Sequence, residues 1–147
     1  MIVTILVLAF VAFASTSEAQ SRPQLIQNIS ASARVVSIDP DLAVAIASAE
    51  SGLNPKAVGG LGEIGLFQLR PEFHPVLKGN ANHNILVGVA YLAEVKSKCS
   101  RFGEAWFVCF NYGPHNKLKR PRETQYYKRV MSQLNKIKSK RYLAGNL

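Results

Sequence analysis

The sequence predicts a small, mainly α domain built around one core. Three observations carry that expectation. Apolar residues recur at three- and four-residue spacing through most of the chain. The segments marked in this way are bounded by capping residues and by Gly or Pro. The length, 147 residues, suits one globular domain plus a short N-terminal addition, with no internal repeat.

The elements follow in order. The opening "MIVTILVLAFVAFASTSEAQ" has an apolar run from Ile2 to about Ala14, then small polar residues and Ser17-Glu18-Ala19. This is the pattern of a secretory signal cleaved after Ala19, and the run is short for a membrane span. No Lys or Arg precedes it, so a retained hydrophobic anchor or docking helix stays as the alternative. In "RPQLIQNISASARVV", Leu25, Ile26, Ile29, Ala33 and Val36 keep helical spacing. In "SIDPDLAVAIASAESGLNP", Asp39 is suited to cap a helix whose first turn holds Pro40. Leu42, Ile46 and Ala49 form its stripe, and Gly52 with Pro55 marks the stop.

The glycine-dense "KAVGGLGEIGLFQL" is too broken for a helix and reads as an irregular loop or short hairpin. A long helix is expected from about Asn82 to Lys98, another from Gly103 to Gly113, and a last one from about Glu123. In that last helix Tyr127, Val130, Met131, Leu134 and Ile137 are expected to face inward, with the lysines outward. The domain boundaries are thus 1–19 for the N-terminal segment, 20–135 for the domain and 136–147 for a basic tail.

The formal charge is +9, and loss of Glu18 with the N-terminal segment would raise it by one. Ten of the 18 basic residues lie between Lys117 and Arg141, opposed only by Glu123. Such a tail attracts polyanions. For an exported chain, anionic envelope polymers or a membrane surface fit better than nucleic acid, and a solvated helix face is the plain alternative. No interleaved aromatic platform or glycine-lysine phosphate motif supports a nucleic-acid binder. Cys99 and Cys109 match no zinc spacing, the three histidines are scattered, and neither a metal nor another cofactor is expected. The two cysteines are either a disulfide or, for Cys109 within "AWFVCF", a buried free thiol.

Glu50 stands out. It follows Ile46 by four residues and Leu42 by eight, so it shares their face of the helix. A carboxyl group against an apolar wall has a raised pKa, as a general acid requires. Taken alone, the stretch favours a structural Glu satisfied by a backbone amide or an Arg.

The ordered segments "ESGLNP", "GEIGLFQL", "NILVGVAYL", "FNYGP" and "ETQYY" change that balance. Together they span about residues 35 to 131, and the chain there resembles the lytic transglycosylases of the soluble-lytic-transglycosylase type, relatives of goose-type lysozyme. The resemblance implies a lysozyme-like fold and peptidoglycan glycan strands as substrate. It implies Glu50 as catalytic acid and then base, with Ser51 as the hydroxyl that orients it. It also implies supporting or substrate-binding roles for Gly65, Leu66 and Gln68 of the loop, for Asn111, and for Tyr127 near the carboxyl group.

Three residues depart from the family pattern. Tyr112 replaces a small residue, Phe67 stands where Met is frequent, and Glu63 takes a place that is often uncharged. Glu63 is therefore the candidate second carboxylate. The implied reaction cleaves the bond between N-acetylmuramic acid and N-acetylglucosamine and closes a 1,6-anhydro ring. A hydrolytic lysozyme assisted by Glu63 and a non-catalytic peptidoglycan-binding component are the alternatives. The resemblance also implies a place in the periplasm or cell envelope, serving a secretion or conjugation machine, or in a phage particle.

Overall fold

The computed structural model describes residues 20–145, so the N-terminal segment 1–19 and the last two residues of the basic tail lie outside it. Helix α1 (Arg22–Val35) starts at a capping box. Ser21 N donates to Gln24 Oε1 at 2.8 Å, while Ser21 Oγ accepts from Gln24 N at 3.5 Å. Its buried stripe is Leu25, Ile29 and Ala33.

Helix α2 (Pro40–Ser51) is capped by Asp39, whose Oδ1 accepts from Asp41 N at 2.9 Å. It ends at Gly52 in the left-handed conformation, φ 65°. Every residue from Asp41 to Ala47 is buried, as expected of a helix enclosed on all sides. α2 is the central element.

Helix α3 (Ala81–Lys98) is capped by Asn80, which accepts from His83 N at 2.9 Å. A 3-10 segment, Ser100–Val108, kinks at Gly103 (φ 54°) and leads into the short α4 (Cys109–Tyr112). The single helix expected there is thus mostly 3-10. Cys99 and Cys109 form a disulfide that ties the end of α3 to the start of α4.

A 3-10 turn, Pro121–Glu123, precedes α5 (Gln125–Gly145). Thr124 joins the two, since its hydroxyl donates to Pro121 O at 2.8 Å and accepts from Tyr127 N at 3.1 Å. α5 continues unbroken through residues 136–145, so this part of the basic tail is not separate from the domain. It runs antiparallel to α2. Arg141 forms two bonds with Asp41 (2.7 and 2.9 Å) at one end, and Tyr126 faces Glu50 at the other.

The described residues contain no strand. Two isolated antiparallel bridges, Val58 with Ile64 and Ile64 with Leu69, shape the loop after α2. The core joins Leu25 and Ile29 of α1, Ile46 of α2, Leu66 and Phe67 of the loop, Leu92 of α3, Phe107, and Val130 of α5. No helix among the described residues is long and apolar enough to cross a membrane.

Candidate active site

The last turn of α2 brings Glu50 to the floor of an open cleft of about 540 Å³. One wall is the loop with Gly59, Glu63, Gln68, Arg70 and Phe73, and the other holds Asn111, Tyr112 and Gly113. Glu50 is half-buried. Loss of hydration pushes its carboxyl above the ordinary carboxylate range, and the charge of Glu63 adds to the rise. The Tyr126 hydroxyl and the Arg129 guanidinium oppose it.

Tyr126, not Tyr127, is the tyrosine beside the acid. The reason is helical register. Tyr126 lies four residues before Val130 and eight before Leu134, and all three are buried. Tyr127, one residue on, is turned aside and stacks on Phe107 with ring centroids 5.3 Å apart. The buried Tyr126 hydroxyl is close enough to Glu50 for each to shift the other's protonation, yet closes no well-formed hydrogen bond. Burial first, then the Glu50 charge, holds that phenol well above its ordinary pKa.

Ser51 does not orient the carboxyl directly. Its Oγ is 2.8 Å from Leu66 O and 3.2 Å from Ala47 O, both acceptors for its one proton, and it accepts from Asn54 N at 3.3 Å. It ties the end of the helix to the loop. Leu66 is fully buried, so its side chain belongs to the core and its carbonyl serves Ser51.

Gly65 sits at φ 76° and leaves room for Asn84, whose side chain a Cβ would strike. Gln68 holds the rare φ of 46° for a side-chain-bearing residue. Its Nε2 donates to Gly65 O (2.9 Å) and Ala57 O (3.3 Å), so the carbonyl end is left to meet the cleft. Asn111 is exposed on the opposite wall. Glu63 shares the cleft with Glu50, but its Oε2 accepts from Leu61 N at 2.9 Å and braces its own loop.

Several residues given no role by the sequence reading build this site. Asn84 is buried in the apolar face of α3, accepts from Phe67 N and donates to Ile64 O, both at 2.9 Å. That polar residue beside Ile85 and Val89 was the available signal. Gly88 lets the Phe67 ring approach α3, because a Cβ would run into it. His74, Tyr91 and Phe110 form an aromatic row along the cleft, at centroid distances of 4.5 and 5.1 Å. Tyr112, the departure from the family pattern, lines the cleft and meets Tyr126 edge-on at 6.4 Å. No group of His, Cys, Asp or Glu among the described residues is arranged to hold a metal ion.

A desolvated acid at a helix end, on the floor of an open cleft, suits proton transfer to a bound substrate. The model of one family, the transglycosylase SLT domain, matches residues 27–132. The chain belongs to that family. The match runs from α1 into α5 and includes every cleft residue named above. As an SLT domain the protein is of the lytic transglycosylase type and acts on peptidoglycan glycan strands.

Proposed function

We propose that the protein cleaves the N-acetylmuramic acid–N-acetylglucosamine bond without water, with Glu50 as its one catalytic carboxyl group. Protonated Glu50 gives its proton to the glycosidic oxygen as the C1–O bond breaks. The substrate's own N-acetyl group steadies the cationic carbon. The carboxylate then takes the proton of the muramoyl C6 hydroxyl, whose oxygen bonds to C1 and closes the 1,6-anhydro ring. That nucleophile is already tethered, so little entropy is lost in bringing it to C1.

The observation that carries this reading is the burial of Glu50, which favours the protonated acid at rest. The Tyr126 hydroxyl beside it favours the carboxylate that the second half of the cycle needs. Cleavage of purified cell walls in a gel, abolished by Glu50→Gln with the fold intact, tests the assignment. An active Gln variant moves the acid elsewhere.

Glu63 favours one rival, hydrolysis with Glu63 as the helper of a water, because it lies in the same cleft. Its carboxylate is engaged by Leu61 N, which argues for a loop brace. Export to an oxidising compartment is supported by the Cys99–Cys109 bridge.

A further inference from the structure

The C-terminal half of α5 combines two features that a solvated helix face does not need together. First, α5 carries six basic residues and no acid. Lys136, Lys138 and Lys140 are exposed, while Arg141 is held by Asp41 and fixes how the last turns are presented. Second, Tyr142 and Leu143 are 72% and 65% exposed. Tyr142 follows Lys138 by four residues, and Leu143 follows Lys136 by seven and Lys140 by three, so lysines flank both on the helix surface.

The same end of the molecule exposes another apolar residue. Lys96 Nζ donates to Ser37 O at 2.7 Å, which brings the end of α3 to the α1–α2 turn, and Asp41 brings the end of α5 there. Val35, the last residue of α1, is 85% exposed two residues before Ser37.

We propose that this end of the domain is a docking surface for an anionic phospholipid membrane. Lysines alone would serve any polyanion. Apolar side chains set among them fit a bilayer interface, where an aromatic or aliphatic group enters the headgroup region while ammonium groups meet phosphate. Sixteen residues of helix separate Tyr126 from Tyr142, or about 24 Å at 1.5 Å per residue. Docking by this end therefore leaves the cleft clear of the lipid contact.

The test is co-sedimentation of the full chain with vesicles of phosphatidylglycerol and phosphatidylcholine, and with phosphatidylcholine alone as baseline. The part of binding that depends on the anionic lipid is compared among variants. Lys136→Gln/Lys138→Gln/Lys140→Gln should lower it by about tenfold or more. Tyr142→Ser/Leu143→Ser should lower it several-fold while leaving binding to soluble polyphosphate unchanged. All these positions are exposed, so thermal melts should be unaltered and digestion of isolated cell walls should continue. Equal binding to both vesicle types overturns the proposal. So does vesicle binding that ignores the Tyr142/Leu143 change, which makes the surface a reader of soluble polyanions.

Discussion

The Tyr126 hydroxyl faces the Glu50 carboxyl from inside the core, near enough to lower its pKa but in a contact short of a well-formed hydrogen bond. Contacts of this kind tighten in the substrate complex, and the pair is expected to close its hydrogen bond there. Tyr126→Phe removes the group that favours the carboxylate, so the alkaline limb of the pH–rate profile should move to higher pH. Activity should fall about 10- to 100-fold, the worth of one hydrogen bond to a charged group. Tyr127→Phe should leave both within about twofold, because that ring packs on Phe107. A larger effect at Tyr127 than at Tyr126 contradicts the register found here.

Glu50 should also weaken the fold at neutral pH. Its native pKa is raised, so above the ordinary carboxylate range the unfolded chain releases a proton that the native state retains. Stability then falls as pH rises from the ordinary value through the raised one. Glu50→Gln lacks this loss. Its melting temperature should match the wild type at acid pH and exceed it increasingly as pH rises through that window. Melts across pH check the sign.

Ser51→Ala should act through the loop. It leaves the carbonyl of Leu66 without its 2.8 Å partner, at a cost of about 1–3 kcal/mol by denaturant titration. Activity should drop with the pH profile unmoved, since the hydroxyl does not touch the carboxyl group. A shifted profile would return Ser51 to direct contact with the acid.

Reducing the Cys99–Cys109 bridge opens a loop with a sequence separation of 10. The chain-entropy cost is about 2–3 kcal/mol. Unfolding curves with and without reductant measure it. Because α4 carries Asn111 and Tyr112 into the cleft, substrate KM should rise on reduction before the domain unfolds.

The helices were legible because their boundaries are local chemistry. Asp39, Pro40 and Gly52 mark α2 in the sequence as they do in the structure. Glu50 was legible from its shared face with Ile46. Tyr126 was not, because the closing motif points to the second of two adjacent tyrosines and only the Val130–Leu134 stripe separates them. Ser51 and Gln68 were found as residues but not by what they hold. Their partners, Leu66 O and Gly65 O, are backbone atoms of a loop whose path no periodicity reveals. The kink at Gly103 escaped for a similar reason, since a 3-10 turn and an α turn draw on the same residue types.

The most direct measurement is the mass of the products from purified peptidoglycan digested in isotopically oxygen-labelled water. A single-carboxylate cycle on Glu50 gives 1,6-anhydro ends, lighter by one water than hydrolysed ends and free of the label. Reducing ends carrying the labelled oxygen would contradict it and make a water held by Glu63 the nucleophile.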